Sequence, residues 1–354
     1  MTSLAYAALW FFVFSVPWER IIVLTGVSIV TRLMGALALG LALLVVVISG
    51  RLRRWRAFHV MALLFVIWAG IGVLILHLDE VPKKFYTFVQ LFLVAWMIWE
   101  LAVTRQRQIG LLLAYVCGSY VTALDTLLLF ARQSGELRRF ASAGADPNNL
   151  AMTLALALPM AWYLGTTHQR ALVRWMCRLY LPAGLLAIGL TGSRGGMIVS
   201  IVALLIVPLS MTNLSPGKMV GAIVMLVLSG FLAVSYVPES VVERLSTTGE
   251  SVQSLSLGGR SRLWKAGLNV FPDSPILGHG TASYKHAITP ELGMYSQVAH
   301  NSYLSVMVEE GFVGLLFFLA MLGAAFFASF RLPRLDRRLT LVLLAALFVA
   351  MLPL

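Results

Sequence analysis

The sequence predicts an all-α polytopic membrane protein on three grounds. Of 354 residues, 59% are hydrophobic and 12% are charged, where an ordinary soluble domain carries about 25% charged residues. Apolar runs of roughly 20 residues, enough to cross about 30 Å of hydrocarbon, recur along the whole chain. Basic residues fall in short clusters between those runs, which is where orientation signals stand.

The elements follow in order. The first run, 4–16, has no basic stretch ahead of it and no Ala-x-Ala-like cleavage site, so it reads as a span and not as a removable leader. Residues 21–31, bounded by Arg20 and Arg32, are too short to cross and read as an interfacial or re-entrant piece. Spans then follow near 33–50, 57–77, 85–101, 109–131, 148–166, 177–191, 196–211 and 218–236. A polar island from Pro238 to Asn301 interrupts the series, and 303–330 and 339–354 close it. The expectation is therefore about eleven transmembrane helices with one large, partly helical loop between the ninth and the tenth. It divides the chain into 1–147, 148–236, 237–302 and 303–354. The last run reaches Leu354 without a polar tail.

If the N-terminus is cytoplasmic, the loops on that side hold the larger basic share: Arg51, Arg53, Arg54, Arg56, Arg105, Arg107 and the clusters at Arg170–Arg178 and Arg331–Arg338. That orientation puts Arg194 and the island together on the opposite side. Trp55, Trp96, Trp99, Trp162 and Trp175 stand near run ends as interfacial anchors do. The net charge of +12 is scattered in these clusters with no nucleic-acid motif, so it reads as topology and anionic-lipid contact. Cys117 and Cys177 lie in apolar runs and make no disulfide framework.

The residues fitted for chemistry are few. Arg194 stands alone between two apolar runs in Thr191-Gly192-Ser193-Arg194-Gly195-Gly196. An arginine there is costly unless it is paired or wet. With the free N–H groups and positive dipole end of the helix that starts beside it, including Gly195, it makes a phosphate site. The plain alternative is an arginine snorkelling to headgroups. In the island, 241–246 reads as a short amphipathic helix and 247–259 as a Ser/Gly/Thr-rich loop. Arg260 to Val270 reads as a helix with Leu263 and Trp264 inward and Arg260 and Arg262 in its first turn, again placed for an anion. Sharp turns follow at 272–275 and 278–280.

His300-Asn301 leads directly into the next span; a histidine at a membrane mouth is suited to be a general base, the plain alternative being a cap. Asp146 opens a span on the same side and is a candidate site residue or an N-cap. Glu309 and Glu310, two turns into the span after His300, could orient a basic group or pair structurally. His279, His286 and His300 match no short zinc spacing, and no Asp-x-Asp pair, Walker loop or Gly-x-Ser-x-Gly elbow is present, so no metal or nucleotide is expected.

Thr191-Gly-Ser-Arg194-Gly-Gly196 resembles the O-antigen ligase and polymerase superfamily of bacterial membrane glycosyltransferases. So do Gly259-Arg260-Ser-Arg-Leu-Trp264, Pro275-Ile-Leu-Gly278, His300-Asn301-Ser-Tyr303-Leu304, and Glu310-Gly311 with Gly314. The resemblance covers roughly 146–330. It implies an inner-membrane enzyme whose Arg194, Arg260 and His300 are the essential residues around a periplasmic cavity. Arg262, Gly195, Asn301, Asp146 and Glu310 are expected to bind substrate. The implied donor is a glycan on undecaprenyl diphosphate, passed without metal or other cofactor to a hydroxyl on a glycan or on lipid A core. The family also implies one further C-terminal helix. Ligase and repeat-unit polymerase share this donor and stay open between them. A transporter of lipid-linked glycans is the alternative of another class; it predicts paired broken helices in both halves.

Overall fold

The computed structural model describes residues 1–24, 27–75, 81–132, 140–142, 144–211, 215–217, 219–221, 223–224, 227, 230, 260–295 and 297–352. The expected span 218–236 lies mostly outside these residues. So do the expected helix at 241–246, the loop at 247–259, and Arg138 and Arg139.

Within the described residues the chain is a bundle of apolar helices. Helix α1 covers Thr2–Ser15, α2 Ile29–Ser49, α3 Ala57–Ile75, α4 Val81–Leu101 and α5 Arg105–Arg132. Helix α6 covers Pro147–Thr167, α7 Ala171–Leu190, α8 Arg194–Leu204 and α9 Ile206–Met211. The island contributes α10 (Arg260–Val270), α11 (Tyr284–Ala287) and α12 (Thr289–Leu292), and the chain continues through α13 (Ser302–Ser329) and α14 (Arg334–Ala350). Among the described residues, six helices are long and apolar enough to cross a membrane: α2, α4, α5, α6, α7 and α13.

The helices outrun the apolar stretches that signalled them. Helix α7 starts at Ala171 instead of near 177, and α5 at Arg105 instead of near 109. Hydropathy marks only the lipid-soluble part, while Arg174 sits in the extra turns and Arg178 just beyond them, reaching back to carbonyls of His168 and Gly165. The short piece at 21–31 is not a helix of its own: Val23–Leu24 pairs antiparallel with Val27–Ser28, and α2 begins directly at Ile29. Arg32 therefore stands in the first turn of α2.

Small residues set the packing, as they do where lipid supplies no hydrophobic drive between helices. Ala5, Ala8 and Leu9 of α1 are buried with Ala38 and Ala42 of α2. The central core joins α5, α6, α7, α8 and α14 around Ala151, Leu154, Leu158, Tyr180, Val199 and Val342. There the Tyr180 hydroxyl donates to the Leu154 carbonyl at 3.0 Å. At one end of the bundle Arg105 of α5, Tyr163 of α6 and Asp336 of α14 close a polar triad, with contacts of 2.6 to 3.1 Å. The opposite end carries the starts of α6, α8, α10 and α13.

Candidate functional site

Each residue at that end is placed by a local rule. Asp146 caps α6, its Oδ1 accepting from the N–H groups of Asn148 and Asn149 at 2.9 and 3.0 Å. Between α7 and α8 the chain turns through Thr191, Gly192 and Ser193. Gly192 has φ +58°, a left-handed conformation that favours glycine. Ser193 caps α8 by accepting from the Gly196 N–H at 3.1 Å. Helix α8 can begin here only because position 196 has no side chain: a Cβ would overlap the Cβ of Ala151 on α6. The Ser-Arg-Gly-Gly motif thus presses the first turn of α8 against the first turns of α6. Arg194, the first residue of α8, emerges half-buried beside them.

The island reaches the same place from the other direction. Helix α10 occupies the range expected from sequence and buries Leu263, Ala266, Gly267 and Val270. It is pinned on three sides. Tyr284 donates its hydroxyl to the Leu263 carbonyl at 2.7 Å. His279 Nε2 meets the Val270 carbonyl at 2.8 Å, which commits that nitrogen to be the protonated one. Trp264 Nε1 donates to the Ala299 carbonyl at 2.9 Å, tying α10 to the residue just before His300. His300 itself has φ +50°, an uncommon conformation for a non-glycine residue and one that concentrates at functional positions. Asn301 then caps α13, accepting from Tyr303 and Leu304 N–H groups at 3.0 and 3.1 Å.

Electrostatics links four of these groups. The His300 imidazole is held below the ordinary histidine range by burial and then by the Arg260 charge, with the Asp146 carboxylate pulling the other way. Arg260 is in turn pushed down by burial and by the Arg194 charge. Arg194, Arg260, His300 and Asp146 thus form one chain of interacting charges drawn from α8, α10, the α13 approach and α6. Arg194 and Arg260 each stand in the first turn of a helix, where the backbone N–H groups and the dipole also favour an anion.

The structure does not bring the other expected residues into this group. Arg262 is exposed, and two residues beyond Arg260 it lies roughly 200° round the helix. Glu310 is buried and occupied elsewhere: Thr281 Oγ1 lies 2.8 Å from its Oε1 and 3.1 Å from the Ala69 carbonyl. Glu309, also buried, pairs with Lys84 of α4 and accepts from the Ala282 N–H at 3.1 Å and the Ser305 hydroxyl at 3.0 Å. Neither acid orients His300 or an arginine. Gly195 is buried in the first turn of α8, and Asn301 acts as a cap. Among the described residues no three His, Cys, Asp or Glu side chains gather as a metal site.

Sequence reasoning missed the device that holds the island to the bundle. Helix α13 breaks at Gly311, with φ 67° and ψ −170°. The backbone of 275–280 fills the break. The Phe312 N–H, which a continuous helix would send to Val308, donates to the Pro275 carbonyl at 2.8 Å. The Val308 carbonyl accepts instead from His279 at 2.9 Å, and the Glu309 carbonyl from Gly280 at 2.7 Å. Gly278 (φ +73°) and Gly311 cross so closely that a Cβ on either would overlap the other's backbone. A glycine and a turn some thirty residues apart signalled this only as two unrelated short motifs.

Residues 179–319 match the family model described as O-antigen ligase. This stretch is similar to the O-antigen ligases and supports the resemblance to the O-antigen ligase and polymerase superfamily. The matched stretch runs from α7 into α13 and contains Arg194, Arg260, His300 and the Gly278–Gly311 crossing; Asp146 lies outside it. Among curated proteins nothing matches the chain. The match connects this stretch with surface-polysaccharide biosynthesis of the O-antigen ligase type.

Proposed function

We propose that the protein is a membrane glycosyltransferase of the O-antigen ligase type, moving a glycan from undecaprenyl diphosphate to an acceptor hydroxyl at the periplasmic face of the inner membrane. The observation that carries this reading is the linked set Arg194, Arg260, His300 and Asp146 at one end of the bundle. In it the Arg260 charge acts on an imidazole whose neutral form is favoured, and the Arg194 charge acts on Arg260.

Charge development in the reaction matches that set. His300 accepts the proton of the acceptor hydroxyl as its oxygen attacks the anomeric carbon. The bond from that carbon to the diphosphate oxygen breaks, and the electron pair leaves with the diphosphate. Arg194 and Arg260 stabilise the negative charge as it grows, which lowers the barrier only because they are already in place. Attack on one face with departure from the other inverts the anomeric centre. Asp146 favours the imidazolium formed in the step. No group in this scheme calls for a metal.

Transfer from a purified undecaprenyl-diphosphate glycan in the presence of EDTA tests the reading, with wild type compared with His300→Ala and Arg194→Ala. Metal-independent transfer lost in both folded variants supports it. Undiminished turnover in both would sink the site assignment, and a product with retained anomeric configuration would remove direct attack. The transport reading draws no support from the break in α13, because protein backbone fills it and it lines no path for a substrate.

A further inference from the structure

A second site stands outside the charge cluster, in the N-terminal helices that the family match does not cover. Helices α1, α2 and α4 enclose an open groove of about 870 Å³, near the upper end of the roughly 300–1,000 Å³ typical of small-molecule sites. Its two ends differ in chemistry. Arg20, Arg32, Glu19, Thr87 and Gln90 line one end. Gly35, Ala36, Leu39, Leu91, Val94 and Met97 line the rest.

Three features of the groove select a ligand. The first is depth. From Thr87 to Met97 along α4 is ten residues, about 15 Å at 1.5 Å per residue, which is half of a hydrocarbon core of about 30 Å. The groove is therefore one leaflet deep, with its polar end at the headgroup level. The second is charge. Among the described lining residues two arginines against one glutamate leave a single positive charge. Arg20 and Glu19 are 3.8 Å apart and both well exposed, so that pair is weak and leaves the guanidinium available. The third is position. Gly144, two residues before Asp146, forms part of the wall, and a Cβ on it would sit 3.4 Å from the Arg20 carbonyl oxygen. The polar end of the groove thus borders the loop that delivers Asp146.

We propose that this groove binds an anionic glycerophospholipid, its phosphodiester held by Arg20 and Arg32 and an acyl chain lying along Leu39, Leu91 and Met97. One net positive charge matches the single negative charge of a phosphodiester, whereas a diphosphate brings more. Arginine's planar fork suits the phosphate oxygens. A lipid seated here touches the loop carrying Asp146. The site stands independently of the transferase reading, because bound lipid is counted without turnover.

Native mass spectrometry of the full chain released from detergent tests this, after incubation with phosphatidylglycerol or with phosphatidylcholine of the same acyl chains. Wild type is expected to retain phosphatidylglycerol on the order of tenfold better. Arg20→Gln/Arg32→Gln should lower that retention to the phosphatidylcholine level. Both arginines are exposed, so the substitutions leave the packed core alone. Ala36→Trp, which fills the groove, should remove both lipids. Equal retention of the two lipids by wild type would mean bulk lipid and overturn the proposal, as would full phosphatidylglycerol retention in the double arginine variant. Displacement of phosphatidylglycerol by added undecaprenyl diphosphate would assign the groove to the donor and overturn it as well.

Discussion

Replacing Gly311 with alanine should be among the most damaging single-methyl additions this chain can suffer. The residue sits at φ 67°, ψ −170°, a region essentially closed to side chains that costs about 1–3 kcal/mol. The new Cβ would also overlap the Ile276 carbonyl oxygen and the Gly278 N–H, which are backbone and cannot rotate away. Relief requires the 275–280 segment to withdraw. That exposes three bonds at once: Phe312 N–H to Pro275, His279 N–H to Val308 and Gly280 N–H to Glu309. Leaving one buried backbone group unsatisfied costs about 1–3 kcal/mol, so losing even one of them brings the total to about 2–6 kcal/mol, from the upper part of the common range of single-substitution effects to beyond it.

The control lies in the same helix. A Cβ on Gly323 meets nothing within 4 Å, so Gly323→Ala should be neutral or stabilising by about 0.5–1 kcal/mol. Thermal unfolding of both variants in detergent, together with protease cleavage within 275–295, makes the comparison. Gly311→Ala should melt well below wild type and expose the island to protease while Gly323→Ala does neither. If Gly311→Ala melts with wild type, the backbone crossing does not anchor the island, and the placement of α10 must have another cause.

Three further outcomes follow from the site. Arg194→Ala and Arg260→Ala should each lower kcat by about 10²–10³, the scale of losing one preorganised donor to a growing negative charge, with the KM for donor read from the same progress curves. The rising limb of kcat/KM against pH should have its midpoint below the ordinary histidine value of about 6.5, because burial and Arg260 depress His300. Arg260→Gln removes a depressing charge and should move the limb to higher pH. Asp146→Asn keeps a capping oxygen but removes a raising charge and should move it to lower pH. Lys84→Ala leaves the Glu309 carboxylate buried without its cation; since Lys84 is about one-third exposed, a loss of about 1–3 kcal/mol is expected, below the roughly 3–5 kcal/mol of a fully buried pair. Denaturation midpoints should show the Lys84→Ala loss exceeding that of Glu309→Gln, where the amide oxygen still accepts from Ala282 or Ser305.

Much of the bundle was legible because membrane spans obey a one-dimensional rule. An apolar stretch must be long enough to cross, so α2, α4, α5, α6, α7 and α13 announce themselves in composition. Helix ends were less legible, since Arg105, Arg174 and Arg178 sit inside helices whose charged tips escape the hydrocarbon. Arg194, Arg260 and His300 could be picked out because isolated charges beside glycine turns are rare in such a chain. Glu310 was picked out because carboxylates are scarce in the chain and through the family resemblance, and the structure places it against Thr281, away from the charge cluster. A buried carboxylate looks the same in sequence whether it serves the site or the scaffold, because the partner deciding its role is remote.

Sequence alone indicated an α-helical membrane protein that resembles the O-antigen ligases over its second half, with a chemically distinct island near its C-terminal helices. Only the tertiary structure decided that Asp146 shares an electrostatic environment with His300, that Glu309 reaches back to Lys84, and that Gly278 fits into the break at Gly311. Span formation depends on neighbouring residues and on lipid, both of which are visible along the chain. The other features depend on which helices lie side by side, and that is set by the close approach of Gly196 to Ala151, of α10 to Ala299 and of one backbone to another.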